Sequence, residues 1–137
     1  MTSEHYQPPP RPRVLHHLAL GARDVERLAA FYTMAFGLRE LTRQRDAEGG
    51  LRSVWLECDS AVLMIERTTR PRPVVDGVDA GLFLIAFRID RSEHVDFVSR
   101  LAAHGHLVES TTEHTSYFRD PEGNRFAVSS YPFQGCG

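Results

Sequence analysis

At 137 residues, 42% apolar and 25% charged, the chain is long enough for one domain with a sizeable core and too balanced for a disordered one. Its net charge of -2 and scattered basic residues offer no general attraction to nucleic acid or an anionic membrane. No apolar run approaches the roughly 18 residues of a membrane span, and the amino terminus lacks a signal-peptide pattern, so the expected location is the cytoplasm. The two cysteines, Cys58 and Cys136, have neither metal-site spacing nor disulfide-scaffold density and read as free, non-catalytic thiols.

In chain order, residues 1–13 are polar and proline-rich, and the PPP run favours an extended tail over a helix or strand. The fold is expected to begin at Val14-Leu15 with a short buried strand running to Leu20. Asp24 can cap a helix in which Val25, Leu28, Tyr32 and Ala35 form one apolar stripe, and Gly37 can end it in a left-handed conformation. Arg39 to Arg45, the turn DAEGG (46–50), Leu51 to Cys58 and Ala61 to Arg67 then read as three further strands. Residues 68–80 carry proline and glycine without a clean period and read as a connection.

The pattern then restarts. Gly81 to Ile89 is an expected buried strand, followed by a helix capped by Asp90 or Ser92, with Val95, Val98, Leu101 and Ala102 on its inner stripe and Gly105 as its stop. Leu107 to Ser110, Thr115 to Arg119 and Arg125 to Tyr131 complete the half, the last two joined by the turn DPEGN (120–124). Placing His17-Leu18-Ala19-Leu20 on Leu84-Ile85-Ala86-Phe87 is an offset of 67 residues, which carries Gly37 to within one residue of Gly105. The expectation is an α+β fold: two βαβββ modules (14–67 and 81–132) forming a curved mixed sheet around a concave pocket, helices outside, with 133–137 as a tail. Neither unit closes on itself, so each needs the other.

Two stretches, HHLALGARDVERLAAFYTMAFGL (16–38) and SYFRDPEGNRFAVSSY (116–131), resemble the vicinal oxygen chelate superfamily, which includes glyoxalase I, extradiol dioxygenases, fosfomycin-resistance enzymes and bleomycin-resistance binding proteins. The resemblance spans nearly all of 14–132 and implies the paired βαβββ fold. The fold hosts lyases, dioxygenases, transferases and metal-free binders alike. In metal-using members it implies one ligand on the first and one on the last strand of each module. His17 matches the first position. Glu66 matches the second, or Met64 does if the strand is shifted by two residues. Leu84 and Ala127 stand where members often have histidine and glutamate.

A divalent ion needs several nitrogen or oxygen donors, so His17 and Glu66 would require help, for which His114 is the candidate. Otherwise His17 is a hydrogen-bonded pocket residue and His16 packs under the helix. His94 is expected to face solvent, and His104 and His106 to suit a helix end. Arg88 shares a face with Leu84 and Ala86 and can meet an anionic or carbonyl-bearing ligand or pair with Glu66. Trp55, Tyr117 and Tyr131 are candidate pocket walls with Met64, and Ser129 shares the face of Ala127.

Two functions follow. One is a small-molecule binding protein of the bleomycin-resistance type, without a cofactor. The other is a lyase or extradiol-type dioxygenase acting on vicinal oxygens through Zn, Ni, Mn or Fe held by His17, Glu66 and His114. A homodimer is expected for either.

Overall fold

In the computed structural model, which describes residues 5–70, 73 and 75–132, the chain enters its first sheet at His17, three residues later than the apolar run suggests. Val14 and Leu15 are 70% and 56% exposed, ahead of the pairing of β1 with its neighbour, which begins at His17. Strand β1 (His17–Ala22) leads to helix α1 (Val25–Phe36), whose Asp24 side chain accepts a hydrogen bond from the Arg27 backbone N–H. Gly37 ends the helix at φ 65°, a conformation that a Cβ penalises. Strands β2 (Arg39–Arg45), β3 (Leu51–Cys58) and β4 (Ala61–Arg67) follow, and the sheet order is β1-β4-β3-β2 with β1 and β4 parallel.

The second module repeats this plan in a trimmed form. Its first strand, β5, covers only Ile85–Arg88 where Gly81 to Ile89 was expected. After Asp90 the chain makes a short 3-10 turn, so helix α2 begins at His94 and has no side-chain cap. Of the expected stripe, Val98 and Leu101 do face the core, and Phe97 joins them. Phe97 and Leu101 are buried, whereas Val95 is 76% exposed and Ala102 is also exposed. Strand β6 is only Ser110–Thr111, and Leu107, expected in that strand, is 75% exposed. Strands β7 (Thr115–Arg119) and β8 (Arg125–Ser129) complete a second sheet of order β5-β8-β7-β6.

Both sheets show two-residue alternation between a packed and an open face. Leu18, Leu20, Val54, Leu56, Leu63 and Ile65 point to the helix side of the first sheet, and Ile85, Phe87, Phe118, Phe126 and Val128 to that of the second. These side chains form a single core cluster. Helix α1 packs against both modules: Phe31 meets Phe126 edge to face at 5.4 Å, and Phe36 stacks on Phe87 at 3.9 Å. Full burial of a side chain such as Leu28 or Ile65 is worth about 1.5–3 kcal/mol, so this shared core is the main force joining the halves.

Polar ties then set the relative position of the modules. The Glu122 carboxylate, in the β7–β8 turn, accepts hydrogen bonds from the backbone N–H groups of Arg23 and Asp24 at the start of α1. Arg100 of α2 donates to the carbonyls of Met34 and Ala35, which the end of α1 leaves without helical partners. No helix among the described residues is long and apolar enough to cross a membrane.

Candidate functional site

The faces turned away from the helices hold the candidate residues. On the first sheet, pairing brings His17 opposite Val62, Ala19 opposite Met64 and Gly21 opposite Glu66, while Met64 also lies opposite Trp55. His17 and Glu66 are thus four residue positions apart along a strand pair, about 13 Å at strand spacing. Trp55 is half-buried, and its indole Nε1 and the Ser53 hydroxyl are buried without a hydrogen-bond partner among the described residues. His16 is not packed under α1. It is exposed, its Nδ1 lies 2.9 Å from Nδ1 of His17, and the two rings meet edge to face. Because regular strand geometry begins only at His17, strict alternation does not apply to His16.

On the second sheet the open face holds a cavity of about 370 Å³. Pairing arranges its floor in rows. Ala86, Ala127 and Tyr117 form one row across β5, β8 and β7, and Arg88, Ser129 and Thr115 form the next. Leu84 and Tyr131 also line it. The Thr115 and Ser129 hydroxyls are 2.7 Å apart, and Ser129 Oγ accepts from the Tyr131 backbone N–H. Behind Tyr117, the Arg125 guanidinium is held between the rings of Phe83 and Tyr117 at 5.1 Å from each. Glu109 bridges Arg125 and Arg119.

Other depressions among the described residues include two of similar or larger size. One of about 550 Å³ lies between the end of α1 and α2, where Arg100 already caps the exposed carbonyls. One of about 360 Å³ lies between β1 and the connection after β4, with Glu122 on its wall. Both are shaped by groups that tie the modules together. The open-face cavity is instead lined by apolar and aromatic side chains with hydroxyl groups and one arginine, a mixture suited to a ligand.

Of the residues singled out from sequence, Leu84, Arg88, Tyr117, Ala127, Ser129 and Tyr131 line this one cavity. Trp55, Met64, His17 and Glu66 lie on the first sheet. His114 packs its ring edge against Tyr131 and lies 3.8 Å from the Glu113 carboxylate, on the second sheet's side. Among the described residues no three His, Cys, Asp or Glu side chains converge as metal ligands would. Thr115, Ala86 and Phe87 complete the lining, and strand alternation with Tyr117 and Arg88 was the signal for the first two. His94 does not simply face solvent, since its Nε2 lies 2.7 Å from the buried Ser116 hydroxyl. His106 packs its ring on Phe31 at 4.7 Å. Burial pushes the Cys58 thiol up, as for an unreactive free cysteine, and Cys136 lies outside the described residues.

A family model described as the Glyoxalase/Bleomycin resistance protein/Dioxygenase superfamily matches residues 14–128. The chain belongs to this superfamily. Solved structures with the superfamily's fold include a mutant of the fosfomycin resistance protein FosX from Listeria monocytogenes, complexed with Mn(II) and a dihydroxypropylphosphonic acid. It is 18% identical, with a TM-score of 0.75, and the match covers 88% of this chain and 94% of that one. A glyoxalase/dioxygenase from Nostoc punctiforme is 22% identical with a TM-score of 0.75, covering 93% and 97%. TioX from Micromonospora sp. ML1 is 21% identical with a TM-score of 0.65, covering 88% and 100%. No curated protein sequence matches the chain.

The superfamily's metal can be tested against these residues through the pairing registers. In the second module the step from Leu84 to Ala127 runs across to the β8 residue two places beyond Leu84's own neighbour. The same step from His17 runs to Met64, not Glu66. Under that equivalence the four positions carry His17, Met64, Leu84 and Ala127. Only His17 offers a nitrogen or oxygen donor, and a thioether suits soft ions such as Cu(I) better than Zn, Mn or Fe(II). This donor set does not fit a divalent ion held in the superfamily's manner.

Proposed function

We propose that the protein is a small-molecule binding protein that uses the open-face cavity of the second sheet without a metal. The observation that carries this reading is the replacement of donors by Leu84 and Ala127 inside a formed cavity of about 370 Å³. Where a chelated ion would sit, the chain offers apolar floor, two tyrosines and hydroxyl groups, which suits ligand holding by contact and hydrogen bonding. A cytoplasmic location accords with the sequence.

We also infer a homodimer. The cavity is lined by second-module residues alone, while the first sheet turns Trp55, Val62 and Met64 to its own open face. A second copy laying that face over the cavity would enclose the ligand and supply apolar contact on its far side. Analytical ultracentrifugation tests this, with a monomer at all concentrations as the contrary result.

The competing reading, a lyase or dioxygenase using His17, Glu66 and His114, takes support from the Mn(II) complex of FosX. Elemental analysis of the purified protein, alone and after loading with Zn, Ni, Mn or Fe, decides between them. The binding reading expects substoichiometric metal and ligand affinity indifferent to chelator. Near-stoichiometric metal that is lost in His17→Ala would overturn it.

A further inference from the structure

Resting on the binding reading above, we propose that the cavity takes a mainly apolar molecule ending in a carboxylate or comparable monoanion, with the anion on the Arg88–Ser129–Thr115 row and the apolar body against Ala86 and Tyr117 of the next row. The row layout carries the argument. Strand pairing places the two rows two residues apart, about 6.6 Å, with one row apolar and the other polar. A ligand crossing both rows must itself be two-ended. The apolar row offers the exposed Ala86 methyl and the half-buried Tyr117 ring, with Ala127 buried between them.

The polar row supplies donors. Thr115 and Ser129 together own two hydroxyl protons, and the hydrogen bond between them uses one. Ser129 Oγ also accepts from the Tyr131 N–H, so whichever hydroxyl donates to the other, one O–H proton is left over for an acceptor. Arg88, exposed beside them, adds a guanidinium whose fork suits a carboxylate.

The charge around the cavity favours an anion. Arg88 is the cation at the polar row, while Arg119 and Arg125 form the row on the other side of Ala127 and Tyr117 and share Glu109. Glu113 is 80% exposed beside His114. Glu93 and Asp96 line the neighbouring depression, which Arg88 also borders. Within the cavity itself no carboxylate is among the lining residues.

The test is calorimetric titration of the intact protein with 2-naphthoate and with 2-naphthamide, which share an apolar body and differ in charge. Expected are at least tenfold tighter binding of naphthoate, a collapse of that preference to within twofold in Arg88→Gln, and its partial return in Arg88→Lys. Equal affinity for the two probes in the unmodified protein, or a preference that survives Arg88→Gln, overturns the inference. If naphthamide still binds and Ala86→Trp abolishes its binding, the cavity reading stands while the anion assignment falls. If neither probe binds, both fall.

Discussion

The phenol of Tyr32 donates a 2.7 Å hydrogen bond to Oδ2 of Asp120, joining a residue of α1 to the β7–β8 turn across 88 positions. Both side chains are buried, and Asp120 also accepts from the backbone N–H groups of Glu122 and Asn124 and from the Asn124 amide. Removing the phenol leaves a buried carboxylate short of a donor. Tyr32→Phe is therefore expected to cost about 1–3 kcal/mol in urea unfolding. A loss below about 0.5 kcal/mol would show that this bond does not hold the modules together.

Burial pushes the Asp120 carboxyl above its ordinary value of 3.8, although hydrogen bonds from Tyr32 and Asn124 pull the other way. A carboxyl raised on folding binds its proton more tightly in the folded state. Its contribution to stability is then most favourable at low pH and declines as pH rises from about 3.8 through the raised value. Comparing unfolding free energies with Asp120→Asn across pH 3.5–7 isolates this, because the surface carboxylates Glu26 and Glu40, lowered by hydrogen bonds from Arg43, titrate in both proteins. The original protein is expected to lose ground to the variant as pH rises. A flat or opposite difference would contradict the assignment.

At Gly37 a Cβ would meet nothing within 4 Å, so the cost of substitution lies in the backbone angle alone. Gly37→Ala is expected to destabilise by about 1 kcal/mol, with binding of the naphthyl probes retained. Thermal unfolding measures the loss, and a stabilised variant would mean that the helix ends otherwise in solution.

The two sides of α2 make a sharper contrast. Phe97→Ala is expected to cost about 3–5 kcal/mol, because the ring is buried against Phe118 and Phe36, whereas Val95→Ala should change stability by less than about 0.5 kcal/mol. Comparable losses at the two positions would place the helix as the apolar stripe alone suggests.

Cavity access is tested by Ala86→Trp. Ala86 is exposed on the open face, so an indole there should fill the cavity without disturbing the core. Loss of probe binding of at least tenfold with an unchanged circular dichroism spectrum is expected. Undiminished binding would move the site elsewhere.

Local chemistry made the modular plan legible. Asp24, the Val25–Leu28–Tyr32–Ala35 stripe and Gly37 act within a few residues of one another, and all take the roles their types imply. Strand alternation likewise put Arg88 on the face of Leu84 and Ala86, and Ser129 and Tyr131 on that of Ala127, whereas Tyr117 was legible only as an aromatic, as was Trp55, which with Met64 lies on the other sheet. Alternation fails where regular geometry has not begun, as at His16, and the α2 stripe holds at Val98 and Leu101 but not at Val95, in the first turn after the 3-10 segment, or at Ala102 near the helix end.

What one strand says about another strand is beyond local chemistry. Whether Met64 or Glu66 corresponds to Ala127 depends on the pairing of β4 with β1, and both side chains share a face, so periodicity alone could not choose. The tertiary structure chose, through the hydrogen-bond register of each parallel pair. It also gathered Tyr32, Asp120 and Glu122 into one inter-module junction, because burial of the aromatic core brings together side chains that the sequence leaves about ninety positions apart.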